Sequence, residues 1–144
     1  MTRVLFVCMA NSCRSQMAEA WARHLFPDGW QAESAGLLTY PISRRTRAVM
    51  AEVGLSLDGH EPRSIDGLDL DRYDLVVTLS REVGKYLPRL AHPERHWRRP
   101  IADPMSAEGT PDEVRAAFRN GRDRTRAIVE EVVAALSARP GERP

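Results

Sequence analysis

The chain has 144 residues, of which 42% are apolar and 28% charged, so it can bury one sizeable core but not two. Lys and Arg (21) nearly balance Asp and Glu (20), and the net charge of +1 argues against a nucleic-acid partner. The longest apolar runs fall far short of the roughly 20 residues that cross a bilayer, so no membrane partner is expected. We predict one domain over residues 1–138 and a flexible tail at 139–144. Two cysteines are too few for a secreted disulfide framework, which favours a cytoplasmic location.

Apolar runs alternate with helical periodicity along the chain. Continuous Val, Leu and Phe runs are typical of strands buried on both faces of a parallel sheet, and apolar residues three and four apart are typical of helices. Strands are predicted at 3–9, 31–36, 73–79 and 96–101, and helices at 13–26, 43–53, 80–87 and 111–138. Gly121 is expected either to kink the last helix or to divide it in two. This alternation predicts an α/β fold with a parallel sheet and right-handed crossovers.

The segment VCMANSCRSQMAE, residues 7–19, follows the first predicted strand and contains both cysteines. Ligands of an open parallel sheet bind beyond the carboxyl ends of its strands, which is where Cys8 is expected. The loop after Cys8 brings backbone N–H groups and a helix N-terminus to one point, an arrangement that attracts a tetrahedral oxyanion and favours a thiolate. Arg14 can bind the same anion through two N–H groups, and the Ser15 hydroxyl can donate to the thiolate. The predicted oxyanion-binding residues are Met9, Ala10, Asn11, Ser12, Cys13 and Arg14.

Other interpretations of the two cysteines explain fewer of these residues. A cysteine that ends a buried strand is most often an inert apolar residue, but that interpretation does not account for Arg14 and Ser15. A C-x4-C pair could begin a zinc site, yet the chain has no second Cys/His pair and its four histidines are scattered. The loop contains no glycine, unlike a Walker-type phosphate loop. No metal is expected.

The motif CMANSCRS, residues 8–15, resembles the C-x5-R-S catalytic loop of the low-molecular-weight protein tyrosine phosphatase superfamily. The continuation SQMAEAW is similar to the thioredoxin-linked arsenate reductase branch, and SAGL, AVMAEVGL, DLVVTL, ERHW and the pair Asp103-Pro104 follow in family order. The resemblance implies the low-molecular-weight phosphatase fold, a flavodoxin-like three-layer sandwich around a four-stranded parallel sheet. It also implies that Cys8 is the nucleophile, that Arg14 holds the oxyanion and that Asn11 shapes the loop. By the same resemblance, Ser15 stabilises the thiolate and Asp103 is the general acid.

The chain departs from the reductase branch in its thiol relay. Thioredoxin-linked relatives carry two further cysteines after the third strand, where this sequence has Ser80 and Leu87. Arsenate reduction consumes two electrons, so a second thiol must attack the Cys8 sulfur. Cys13 is one candidate for that thiol. We favour an external one, such as mycothiol, bacillithiol or glutathione with a redoxin, because serine and leucine cannot exchange disulfides.

These observations predict a thiol-dependent arsenate reductase with no bound cofactor and an arsenate or phosphate oxyanion as ligand. The alternative is a phosphatase that hydrolyses phosphotyrosine or a small phosphoester through a cysteinyl-phosphate. Tyr40, Tyr86 and Trp97 are the candidate aromatic walls for such a substrate. A binding or redox-sensing protein without turnover would need neither a nucleophile nor an acid.

A second departure concerns a cation. Some reductase relatives hold a potassium ion behind the loop with groups that match Asn11, Glu19 and Ser34 and with an aspartate. Arg63 stands at the position of that aspartate. We expect the Arg63 guanidinium to pair with Glu19 in place of the ion, which would remove any dependence on potassium.

Overall fold

The computed structural model describes residues 1–138, and the predicted flexible tail lies outside the described residues. A parallel sheet contains the strands β1 (Arg3–Cys8), β2 (Gln31–Gly36), β3 (Leu75–Thr78) and β4 (His96–Arg98), in the order β2-β1-β3-β4. The α-helices of the described part are α1 (Arg14–Leu25), α2 (Arg44–Ala51), α3 (Arg81–Tyr86) and α4 (Pro111–Ser137). The predicted α/β fold with a four-stranded parallel sheet is confirmed.

Strand β1 lies at the centre of the sheet because its side chains can be buried on both faces. Val4 and Phe6 pack in the core that α1, α2 and α4 cover, whereas Leu5 and Val7 pack on the opposite side with Val83 of α3. Successive side chains of a strand point to opposite faces, so one apolar run supplies both cores. The result is a sandwich of three layers whose strands all end at the same edge.

Two strands are shorter than the sequence predicts. The fourth strand stops at Arg98 instead of residue 101, although the N–H groups of Arg99 and Ile101 still donate to the carbonyls of Thr78 and Leu79 at the end of the third strand. The third strand begins at Leu75 because Tyr73 still closes a 3-10 turn, its N–H donating to the Leu70 carbonyl. No helix within residues 1–138 is long and apolar enough to span a membrane.

Helix α4 runs unbroken for 27 residues through Gly121, so the predicted division of this helix is wrong. The glycine has a packing role. A Cβ atom at this position would lie 2.9 Å from Cγ of Pro104, so only glycine lets the loop that contains Pro104 lie directly on the helix.

Candidate functional site

Cys8 is the last residue of β1, and a loop of residues 9–13 connects it to the N-terminus of α1. The residue is only 3% exposed, and a cleft of about 600 Å³ opens beside the loop that follows it. The cleft is lined by Met9, Arg14, Ser80, Arg81, Glu82, Pro100, Ile101, Ala102, Asp103 and Ser106. The location at the carboxyl edge of the parallel sheet is the one that the sequence predicts.

The loop turns its carbonyl groups away from the cleft. The carbonyls of Met9, Ala10 and Ser12 accept hydrogen bonds from the N–H groups of Leu38, Tyr40 and Ser43, at 2.8, 3.1 and 3.2 Å. The N–H groups of residues 10–13 donate to no partner within the described part of the chain. Because carbonyl and N–H groups of successive peptides point in opposite directions in such a loop, the unpaired N–H groups form a concave anion-binding surface.

Helix α1 leaves its N-terminus free for the same purpose. Side chains cap the other α-helices of residues 1–138, through Ser43 for α2, Ser80 for α3 and Thr110 for α4. Cys13, at the corresponding position of α1, forms no side-chain cap. The N–H groups of the first turn of α1 therefore keep their hydrogen-bonding capacity and their partial positive charge for an anion.

Gly36 at the end of β2 allows the loop to approach the sheet. A Cβ atom there would lie 2.7 Å from the Asn11 nitrogen and 2.6 Å from the Leu38 carbonyl oxygen. Both of those neighbours are main-chain atoms, which cannot move without displacing the backbone. The requirement for glycine shows that the shape of the anion-binding loop is fixed from behind by β2.

Asn11 and Ser15 form a chain of hydrogen bonds that ends at the Cys8 sulfur. Asn11, which adopts a left-handed conformation with φ of 51°, donates from Nδ2 to the Ser15 hydroxyl at 2.7 Å. The Ser15 hydroxyl lies 2.8 Å from Cys8 Sγ. Asparagine tolerates this backbone conformation better than most residues do. The family resemblance predicts the contact of Ser15 with the thiol, but it gives Asn11 only the role of shaping the loop.

A further layer of polar residues holds Asn11 in place. Gln16 donates from Nε2 to Oδ1 of Asn11 at 3.0 Å, and its side-chain oxygen Oε1 lies 3.1 Å from Nδ1 of His60. His60 also lies 3.3 Å from the Glu19 carboxylate, which accepts a hydrogen bond of 2.7 Å from Ser34. No sequence pattern predicts this use of Gln16 and His60, because 44 residues separate the two.

The predicted pairing of Arg63 with Glu19 is wrong. The guanidinium of Arg63 binds Glu33 at 2.8 Å, and Glu19 pairs instead with Arg23 and His60. Glu33 and Ser34 are neighbours on β2 and therefore point to opposite faces of the sheet. Arg63 lies on the face of Glu33, whereas Glu19 lies with Ser34 on the other. The backbone N–H of Arg63 still supports the loop, since it donates to Asn11 Oδ1 at 2.8 Å.

Arg14 is held at the mouth of the anion-binding loop by main-chain acceptors. Its Nη1 atom donates to the carbonyls of Leu79 and Ile101 at 3.3 and 3.1 Å, and its Nη2 atom lies 3.7 Å from the Asp103 carboxylate. These acceptors lie just after β3 and β4, so the sheet itself orients the guanidinium. Asp103 is half-buried and accepts a hydrogen bond from the Met105 N–H at 3.0 Å. The structure thus brings Arg14 and Asp103 together in the cleft, beside the loop that follows Cys8.

Cys13 differs from Cys8 in its surroundings. It is 3% exposed, and burial raises the pKa of its thiol to about 12, although the Thr46 hydroxyl acts in the opposite direction. A thiol in this state is protonated near neutral pH, and a protonated thiol is a poor nucleophile. Cys13 therefore has the properties of a buried core residue.

The two positions expected for relay cysteines serve other purposes. Ser80 caps α3 by accepting from the Val83 N–H, and it donates to the Glu82 carboxylate at 3.0 Å. Leu87 ends α3 and packs against the core on that side of the sheet. Neither side chain can take part in thiol exchange.

An α/β fold that places a cysteine thiol at an uncapped helix N-terminus, beside a fixed arginine, defines a cysteine-dependent oxyanion-binding protein. The family model for low molecular weight phosphotyrosine protein phosphatases matches residues 3–139, and this chain belongs to that family. The resemblance drawn from the motifs is confirmed.

The curated relatives include an arsenate reductase of Halalkalibacterium halodurans, 38% identical over 122 residues that cover 83% of this chain and 86% of that protein. An arsenate reductase of Staphylococcus aureus (strain Newman) is 34% identical over 126 residues, 84% of this chain and 96% of its own length. Among solved structures, an arsenate reductase in the oxidized state matches with a TM-score of 0.79 and 31% identity, covering 93% of this chain and 98% of that one. A tyrosine phosphatase of Erwinia amylovora shares the fold, with a TM-score of 0.78 at 24% identity and coverage of 95% and 94%.

Proposed function

We propose that this protein is an arsenate reductase in which Cys8 is the nucleophile and an external thiol is the reductant. The observation that carries the proposal is the position of Cys8 Sγ, 2.8 Å from the Ser15 hydroxyl and next to a loop with unpaired N–H groups that leads into an uncapped helix. Two relatives of this chain at 38% and 34% identity are arsenate reductases, which supports arsenate as the oxyanion. A protein that only bound the anion would have no need for a thiol at this point.

In the first step the Cys8 thiolate attacks arsenic, an As–S bond forms and one oxygen of arsenate leaves. The backbone N–H groups and Arg14 bind the remaining oxygens. Asp103, 3.7 Å from Arg14 at the edge of the cleft, donates the proton that converts the departing oxygen into water. Ser15 stabilises the thiolate before the attack by donating its hydroxyl hydrogen.

In the second step a thiolate attacks Cys8 Sγ. The new S–S bond forms, the As–S bond breaks, and its electron pair stays on arsenic, which leaves as arsenite. Cys13 is a poor candidate for this thiolate because burial raises its pKa to about 12. A low-molecular-weight thiol such as mycothiol, bacillithiol or glutathione, or a redoxin, fits the step better. The predicted cytoplasmic location would supply such a thiol, because that compartment keeps thiols reduced.

Phosphatase activity is the second candidate, since the first step of both reactions needs the same nucleophile, clamp and acid. The shape of the cleft is less favourable to phosphotyrosine. No aromatic side chain of residues 1–138 lines the cleft. Trp97 borders a different cleft and lies under the Arg99 guanidinium at 4.6 Å, and Tyr40 and Tyr86 are exposed. A small phosphoester therefore suits this site better than a phosphotyrosine ring.

The test offers the purified protein arsenate with each thiol and redoxin and measures arsenite, while a parallel assay measures hydrolysis of an aryl phosphate. Arsenite formation that depends on a thiol supports reduction. Cys8→Ser is expected to abolish both activities. Aryl phosphate hydrolysis without arsenite formation under any thiol would overturn the proposal in favour of the phosphatase.

Cys13→Ser separates the two candidate thiols. We expect this variant to reduce arsenate within about twofold of the wild-type rate, because a thiol with so high a pKa contributes little thiolate near neutral pH. Loss of arsenite formation with intact hydrolysis of the aryl phosphate would show instead that Cys13 is the resolving thiol.

A further inference from the structure

A second depression adjoins the candidate active site. This α3–β4 groove, of about 250 Å³, lies between α3 and the end of β4 and is lined by Thr78, Ser80, Arg81, Gly84, Lys85, Arg98 and Pro100. Ser80, Arg81 and Pro100 also line the cleft above Cys8. The two cavities are therefore continuous along one side.

The α3–β4 groove concentrates positive charge that the fold does not neutralise. Arg81, Lys85 and Arg98 are exposed and form no ion pair within residues 1–138, and no acidic residue lines the groove. By contrast, Arg99, the neighbour of Arg98, is paired with Glu131 at 2.8 Å. Three unpaired cations in a small groove of a chain with a net charge of only +1 form a site for an anionic group.

The cleft itself has a different character. Glu82 and Asp103 line it together with Arg14 and Arg81, so its charges balance, whereas the charged residues of the α3–β4 groove are all positive. A molecule that placed its reactive end in the cleft and its carboxylates in the α3–β4 groove would match the charges of both regions.

The burial of Cys8 limits the size of what can reach it. Cys8 is 3% exposed, and the cleft beside it is lined by its neighbour Met9 and by Arg14. A small thiol reaches so buried an atom more readily than a thiol on the surface of a folded protein does. A small thiol can enter through the cleft, which has the volume of an ordinary small-molecule site.

We infer that the α3–β4 groove binds the carboxylate end of a small anionic thiol whose sulfur attacks Cys8, an inference that rests on the proposed function. Arg81 lines both cavities and holds the carboxylate nearest the cleft, while Lys85 and Arg98 hold the more distant part. The thiolate forms an S–S bond with Cys8 and displaces arsenite with the As–S electron pair. A second molecule of the same thiol then attacks the mixed disulfide, releasing the thiol's own disulfide and the Cys8 thiolate.

The test uses thiol–disulfide exchange, which needs no arsenate. In the Cys13→Ser background Cys8 is the sole cysteine of the chain, and intact-protein mass spectrometry follows its mixed disulfide. The reagents are dithiodipropionate, which carries carboxylates, and hydroxyethyl disulfide, which is neutral. Exchange forms the Cys8–S–S–R bond and releases one RS⁻ from either reagent.

Arg81→Ala and Arg98→Ala are each expected to slow exchange with dithiodipropionate by at least about threefold, the size of one exposed charge contact, and to leave hydroxyethyl disulfide unaffected. Lys85→Ala gives a third, independent measurement. Arg124→Ala on α4, which removes an exposed arginine with no ion pair in residues 1–138, is the matched control and should change neither rate. Equal losses with both reagents, or no loss with either, would overturn the inference.

The outcome is separable from that of the proposed function. Charge-selective exchange without arsenite formation would reject the reductase and keep the groove as an anionic-thiol site. Arsenite formation with exchange that ignores the three cations would keep the reductase and reject the groove.

Discussion

At the scale of single residues, the orientation of the Asn11 amide determines which way the hydrogen bond to Cys8 runs. Asn11 Oδ1 accepts from the Arg63 N–H and from Gln16, so its amide nitrogen is the group that faces Ser15. The Ser15 oxygen thus accepts one hydrogen, and its own single hydrogen is free for the Cys8 sulfur. A donor aimed at sulfur stabilises the thiolate in preference to the thiol.

Ser15→Ala removes that donor. We expect the variant to react with iodoacetamide at Cys8 about tenfold more slowly near neutral pH, since a hydrogen bond to a charged group is worth roughly 1.5–3 kcal/mol. Quantitative mass spectrometry of alkylated Cys8 measures this rate.

Ser106→Ala is the control for this change, because Ser106 lines the same cleft without a contact to Cys8. It should keep the wild-type rate of alkylation. If Ser15→Ala also keeps that rate, Ser15 has no effect on the thiolate and its proposed role is wrong.

The sequence predicts those residues of the site that are close in the chain. Cys8, Arg14 and Ser15 belong to one strand, loop and helix, so their spacing alone indicates that they meet. Asp103 could be placed only through the family resemblance. Arg63 was assigned to the wrong carboxylate, because the choice between Glu19 and Glu33 depends on which face of β2 a distant loop passes.

At the scale of elements, α4 positions the loop that carries Asp103. Gly121 contacts the Pro104 ring so closely that any side chain would displace it. Pro104 follows Asp103 directly, and Asp103 begins the short 3-10 turn Pro104–Ser106. The location of the proposed general acid, Asp103, therefore depends on a glycine, Gly121, in a helix outside the cleft.

Gly121→Ala is expected to move Asp103 and to lower aryl phosphate turnover by about tenfold, as small misplacements of catalytic groups commonly do. The loss should be larger for phenyl phosphate than for nitrophenyl phosphate, because a poor leaving group depends more on the proton from Asp103. Steady-state rates with the two esters measure the difference.

Asn120→Ala, a change at the exposed residue that precedes Gly121 in α4, is the control and should leave both rates unaltered. Alanine favours a helix over glycine by about 1 kcal/mol, so a thermal melt also reports whether the contact with Pro104 offsets that gain. Equal losses with both esters would contradict a role through Asp103.

The order and type of the elements followed from the sequence, but their ends did not. Apolar runs and helical periodicity are local properties, and they identified all four strands and the four α-helices of residues 1–138. The early end of β4 and the continuity of α4 through Gly121 depend on which neighbour each segment packs against. Such contacts leave little trace in a window of adjacent residues.

At the scale of the whole molecule, two half-buried histidines connect stability to pH. Burial lowers the pKa of His60, against the opposing effect of Glu19, and burial also lowers the pKa of His96. Below the ordinary histidine pKa of about 6.5, the unfolded chain therefore binds protons that the native protein excludes. The free energy of unfolding must rise with pH across that window and fall as the pH drops.

We expect urea melts at about pH 7.5, 6.5 and 5.5 to show that the free energy of unfolding falls at each step down in pH, with a weaker dependence in His96→Gln. Arg119 lowers the pKa of Glu52 to about 2, so the contribution of this carboxylate to stability changes only at lower pH, below the ordinary carboxylate pKa. His92→Gln, at an exposed site, serves as the control. A free energy of unfolding that stays constant between about pH 5.5 and 7.5 would refute the role of the two histidines. The same pH dependence in His96→Gln as in the wild type would refute the role of His96.

The free main-chain N–H groups of residues 10–13 also determine how this protein could tell one anion from another. Arsenate and phosphate have the same tetrahedral shape and the same charge, so a cage of peptide dipoles admits both. Selection must therefore take place after entry, at the transfer of an electron pair, which arsenic accepts and phosphorus does not. Where phosphate is abundant, arsenate would have to compete with it for the anion-binding loop, and the rate of arsenate turnover would follow the concentration ratio of the two anions.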